Sequence, residues 1–98
     1  MEKKYDGYYI VRCDKASVFA GNIKERDGRE VTMTDARRIY YWSGAATLSQ
    51  MAVDGVKYPE NCKFAVPLDE IEVLDAVEII PCSIKAEQSI KGVPIWRV

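Results

Sequence analysis

The stretch VFAGNIKERDGREVTMT, residues 18–34, constrains the fold more than any other part of the chain. Its apolar residues Phe19, Ile23, Val31 and Met33 are all odd-numbered and lie on either side of an Asp-Gly step. Such alternation puts apolar side chains on one face of a strand, and a one-residue slip would turn them all to the other. The stretch therefore reads as two antiparallel strands, 18–25 and 29–34, joined so that these four residues stay on one side. A two-residue loop at Asp27-Gly28 would set Ile23 opposite Thr32. A three-residue loop, Arg26-Asp27-Gly28, sets Ile23 opposite Val31 and gives Gly28 the left-handed position. The three-residue loop is the expectation.

The remaining elements are read around this pair. YYIVRC (8–13) is rich in aromatic and β-branched residues and predicts a strand. ARRIYYW (36–42) predicts another, with Arg38, Tyr40 and Trp42 on one face and Arg37, Ile39 and Tyr41 on the other. Ser43 is placed to cap a helix over about 45–54, with Gly55 just past its end and an apolar stripe of Leu48, Met51 and Ala52. A long loop, GVKYPENCKFAVP, follows. EIEVLDAVEII (70–80) is one long strand or two short ones, because Asp75 interrupts the odd apolar face of Ile71, Val73, Val77 and Ile79. Ser83 caps a short helix stopped by Gly92, and VPIWRV has the pattern of an edge strand. These elements predict an α+β fold: one domain over 1–98, with a compact, bent antiparallel sheet and two short helices. By fold-level analogy the bent strands resemble SH3-like or Sm-like small barrels, which says nothing about function.

Composition narrows the chemistry. The chain has no histidine, which removes the commonest general base and transition-metal ligand. Its three cysteines, Cys13, Cys62 and Cys82, are widely spaced and form no C-x-x-C pair, so neither a disulfide framework nor a zinc site is expected. No metal or other cofactor is expected. Net charge is −1, with five acids and no base over 64–84, which argues against binding long nucleic acid. No apolar run is long enough to span a membrane, and the start MEKKYDGYYIVRC lacks the apolar core of a signal peptide. A cytoplasmic location is expected. Ten aromatics in 98 residues exceed what a small core readily buries, so the surplus points to a homo-oligomer.

The stretch DARRIYYWSGAATLSQMAVDG (35–55) carries the candidate site. Tyr40 or Trp42 can stack a planar base while Arg38 meets a phosphate, and the backbone after Ser43 and Gly44 opens a helix whose N–H groups favour anions. A bulge near Ala36 would exchange the faces, giving Arg37 the ligand role and exposing Ile39. The same residues also read as core and scaffold. Ser43 has no neighbouring base to make it a nucleophile, and Asp69 and Glu70, adjacent on a strand, point to opposite faces.

TDARRIYYWSGAATLSQMAVDGV, with EIIPCS and VPIWRV, resembles a family of small proteins encoded by tailed phages and prophages, over nearly the whole chain. The chain also resembles viral anti-Thoeris sponge proteins. That resemblance implies an oligomer without catalysis that sequesters cyclic ADP-ribose signals or cyclic oligonucleotides at subunit contacts. The expectation is a phage accessory, counter-defence protein that binds a small nucleotide and withholds it from a host effector. The alternatives are a small-barrel module for protein or RNA and, behind it, a carboxylate hydrolase acting on a phosphodiester.

Overall fold

In the computed structural model, which describes residues 4–15 and 17–98, the chain forms six strands and two helices. The strands are β1 (Tyr8–Cys13), β2 (Val18–Asp27), β3 (Glu30–Tyr41), β4 (Lys63–Phe64), β5 (Leu68–Val73) and β6 (Ala76–Pro81). Helix α1 (Leu48–Asp54) lies between β3 and β4, and α2 (Ile84–Lys91) follows β6. All strand pairs are antiparallel, in the order β4-β3-β2-β1-β6, with β5 also on β3. The fold is α+β, as expected. Among the described residues no helix is long and apolar enough to cross a membrane.

The β2–β3 turn is shorter than the alternation predicted. Asp27 pairs with Glu30, leaving Gly28 and Arg29 as a two-residue loop. Gly28 does take the left-handed position, at φ 62°, and Arg29 does not, which is the II′ pattern suited to hairpin twist. Ile23 faces Met33, not Val31. Lys24 is the extra residue that permits this: the register shifts between Ile23 and Glu25, and the bulge returns Ile23 to the buried face. The face argument was sound, but a bulge satisfied it in place of a longer loop. A Cβ on Gly28 would meet nothing within 4 Å, so Gly28→Val should cost only its left-handed strain, roughly 1–2 kcal/mol. Thermal melting of that variant alongside the wild type measures the cost; coincident curves would show the turn tolerates a side chain.

A second bulge divides β3. The sequence predicted separate strands over 29–34 and 36–42, yet one strand runs through both. Opposite Gly21 it holds two residues, Asp35 and Ala36, and Asp35 sits at φ 47°. Here the two strands press together, since a Cβ on Gly21 would fall 2.7 Å from the Ala36 Cα. The bulge exchanges the faces of β3. Before it, Val31 and Met33 join Tyr9, Val11, Phe19, Ile23 and Val73 in one buried cluster, with Ala36 just past it. After it, Ile39 turns to a second cluster with Tyr8, Ile10, Ala20, Phe64 and the helix residues Met51, Ala52 and Ile90.

The first cluster lies in the fold of the bent sheet, between residues of β1, β2, β3, β5 and β6. β5 pairs with β3 and β6 with β1, so the short Leu74-Asp75 step carries the chain from one side of the sheet to the other. Asp75 fastens that step: its carbonyl accepts from Asp14 N (3.1 Å) and its carboxylate from Lys15 N (2.9 Å). The interruption read at Asp75 is thus a turn between two strands. The second cluster lies on the other face of the sheet, beneath α1 and α2. Ser83 caps α2 by accepting from Ala86 N (3.0 Å), and Gly92 ends it, as the sequence indicated.

Candidate functional site

Past the Asp35-Ala36 bulge, alternation sends neighbouring residues of β3 into different surroundings. Arg37 is 2% exposed. Its guanidinium donates to the carbonyls of Ala65 (3.0 Å), Ile90 (3.0 Å), Val93 (2.9 Å) and Phe64 (3.2 Å). Burial pushes its pKa down from the ordinary arginine value, while Tyr8 and Asp35 pull the other way. Every bond named for this side chain is to the protein's own backbone. The alternative of a bulge near Ala36 is realised, but the bulge places Arg37 under the helices and leaves Ile39 buried beside it, 2% exposed. Arg37 is scaffold.

Arg38 points the other way and is exposed, with its guanidinium carbon 4.9 Å from the centre of the Phe19 ring. Two residues on, Tyr40 is 62% exposed and stacks on Trp96, 50% exposed, with ring centres 5.1 Å apart and planes 23° from parallel. Lys63 Nζ lies 5.3 Å from the centre of the Trp96 ring. Trp96 is held in place by its backbone: its N–H donates to Phe64 O (2.9 Å), beside a parallel bridge between Phe64 and Ile95. Lys63 and Trp96 thus join Tyr40 as an open shelf of two rings and a cation, with Arg38 exposed two residues before Tyr40 on β3.

Trp42 is not on that shelf. It is half-buried against the outer cluster and donates from Nε1 to Ala45 O (3.0 Å). Ser43 and Gly44 do not open a helix either. α1 begins at Leu48, capped by Thr47, whose hydroxyl accepts from Gln50 N (3.1 Å). Ser43 and Gly44 instead anchor the following loop: Ser43 N donates to Cys62 Sγ (3.4 Å), and Gly44 O accepts from Lys57 N (3.2 Å). Gly44 has φ 95°, and a Cβ there would lie 2.4 Å from Lys57 N, so it serves close packing. Of the expected site residues, only Arg38 and Tyr40 are exposed.

Lys63 and Trp96 escaped the sequence reading because their signals are not local. Lys63 belongs to a two-residue strand inside what read as a loop, and Trp96 reaches Tyr40 across more than half the chain. The cysteines offer little reactivity at neutral pH. Burial is the main cause that pushes Cys13 and Cys82 up to about 11, and Cys62 is tied to Ser43 and Tyr58 carbonyls. No group of three or more potential metal-ligating side chains gathers among the described residues. A groove of about 780 Å³ runs along the hairpin end, lined by Lys4, Tyr5, Lys24, Glu25 and Arg26 among others, away from the shelf.

A family model described as "Domain of unknown function (DUF6948)" matches residues 6–90. The match takes in Arg37, Arg38, Tyr40 and Lys63 and stops before Trp96. Neither the curated proteins nor the solved structures contain a match.

Proposed function

The chain belongs to the DUF6948 family, and we propose that it is a non-catalytic binding protein that stacks a nucleobase on the Tyr40–Trp96 shelf. The observation that carries this reading is the exposure of two stacked rings with a lysine over one of them. Aromatic rings ordinarily contribute to a core; rings left open beside cations suit a ligand with a flat face and negative charge. Arg38, on the same side of β3 and roughly 7 Å further along the strand, suits the phosphate. With no histidine in the chain, retention of the ligand fits better than its turnover. Sequestration of a nucleotide signal, the role implied by the resemblance to phage sponge proteins, is the specific form of this reading.

Titration with mononucleotides and cyclic nucleotides, followed by tryptophan fluorescence and by thermal shift, tests it. Binding should raise the melting temperature, because a ligand of the folded state stabilises that state. Arg38→Ala should lose roughly 1.5–3 kcal/mol of binding, about ten- to a hundredfold in affinity, and Tyr40→Ala a comparable amount. Neither should lower the melting temperature of the free protein by more than a few degrees. Bound ligand should return intact after heat denaturation; recovery of hydrolysed product would overturn the non-catalytic reading. If both variants bind as the wild type does, the shelf has no part in binding.

A further inference from the structure

A second aromatic–cation pair lies on the loop that leads from α1 to β4. Lys57 Nζ lies 5.7 Å from the centre of the Tyr58 ring, and Tyr58 is 43% exposed. The segment bearing this pair is docked on the residues just past β3. Lys57 N donates to Gly44 O, and Cys62 Sγ lies within hydrogen-bonding reach of both Ser43 O (3.7 Å) and Tyr58 O (3.5 Å). Tyr41, 55% exposed, stands between the two pairs along the chain. At about 3.3 Å per extended residue, Tyr40 and Gly44 are at most roughly 13 Å apart. A strand of several stacked nucleotides, at roughly 3.4 Å each, can cover that stretch and the further step from Gly44 to Tyr58.

Charge is distributed to match. Across residues 36–44, 55–67 and 93–98 the exposed charges are Arg38, Lys57, Lys63 and Arg97 against Glu60 alone. Among the described residues none of these four cations is in a salt bridge. Asp35 and Asp54 border these segments, and a further run of acids lies on β5 and β6, at Asp69, Glu70, Glu72 and Glu78. Rings interleaved with cations along an open surface are what a single strand requires, since each base offers a face to stack and each link a phosphate. A net charge of −1 limits the contact to a few phosphates.

From these observations we infer that the ligand is a short single-stranded oligonucleotide bridging the Tyr40–Trp96–Lys63 and Tyr58–Lys57 stations. This deepens the nucleotide-binding reading and rests on it. Thymidine oligomers from a dinucleotide to an octanucleotide, fluorescently labelled and titrated with the intact chain at fixed salt, provide the test. Affinity should rise roughly five- to a hundredfold between the dinucleotide and the hexanucleotide as the second station engages, then level off. Its dependence on salt should steepen over the same range, by about 0.7 in log–log slope for each added phosphate contact. Tyr58→Ala and, independently, Lys57→Gln should remove most of the gain with length, in protein shown by circular dichroism to be folded. Measurable dinucleotide binding that does not improve with length overturns the two-station inference and leaves the shelf reading standing. A gain that survives both variants also overturns it. No binding at any length overturns both readings.

Discussion

Replacing Arg37 with alanine should cost roughly 3–5 kcal/mol of stability and lower the melting temperature by roughly 15–30 °C. The guanidinium bonds to four carbonyls that come from β4, from the residue after it, and from the end of α2. Ile90 lies in the last turn of α2 and Val93 two residues past its end, where the helix dipole is negative, so Arg37 acts as a cap supplied from the sheet. The Ile90 carbonyl also accepts from Val93 N and the Phe64 carbonyl from Trp96 N, which leaves Ala65 and Val93 the most dependent on Arg37. Each buried carbonyl left without a donor costs about 1–3 kcal/mol; the low end applies if water enters the space left by the side chain. A domain of this size has about 5–15 kcal/mol in total, so the variant approaches unfolding at growth temperature. Arg37→Lys should fall between the two, because one ammonium cannot reproduce the planar fork of donors. Urea denaturation of the three proteins gives the order. An alanine variant that melts within a few degrees of the wild type would show that these carbonyls find other partners.

Phe64→Ala should cost roughly 3–5 kcal/mol, the usual range for a buried phenylalanine truncated in a core. Phe64 is fully buried, pairs with Ile39 across β3–β4, and lies beneath the Arg37 guanidinium, 5.4 Å from ring centre to carbon. Its backbone carbonyl accepts from both Arg37 and Trp96. The substitution therefore reaches the shelf as well as the core: loosening β4 loosens the strand that holds Trp96. The urea midpoint should fall with little change in slope, and tryptophan fluorescence should shift at denaturant concentrations well below that midpoint. Phe64→Leu, which refills part of the space, should cost less. A Phe64→Ala protein whose tryptophan signal changes only with global unfolding would separate the shelf from this core position.

The difference between what the sequence disclosed and what it hid follows the range of the interactions. Composition over 8–13 located β1, and alternation over 18–34 located β2 and a buried face, because period-two patterning depends only on which side a residue faces. Caps at Ser83 and Gly92 were equally plain, since a cap is settled within one helical turn. Bulges at Lys24 and at Asp35-Ala36 were harder. Each trades an unpaired residue for a better match of faces, and the gain depends on a partner strand whose register is not yet known. Ser43 and Thr47 are both suitable caps by composition, and only the docking of Lys57 and Cys62 on Ser43 and Gly44 decides for Thr47. At the candidate site Arg38 and Tyr40 could be read from one strand face. Arg37 could not be told from them, because its surroundings are made by α2 and β4.

The Leu74-Asp75 step has a kinetic consequence. β1 is complete by Cys13, but its outer partner β6 begins only at Ala76, so Tyr9 must wait for Pro81, most of the chain later. The entropy of closing so long a loop has to be met before the first cluster can be covered, and pairings of this range slow folding in small domains. While the chain is being synthesised, β1, β2 and β3 can associate as a meander, but Val11 and Met33 remain open to solvent on one side until β5 and β6 emerge. That interval is when unpaired strand edges can meet those of another chain. The interval ends with the two late strands, and their acidic side chains at Asp69, Glu70, Glu72 and Glu78 then set like charges against those of neighbouring copies, which disfavours edge-to-edge pairing.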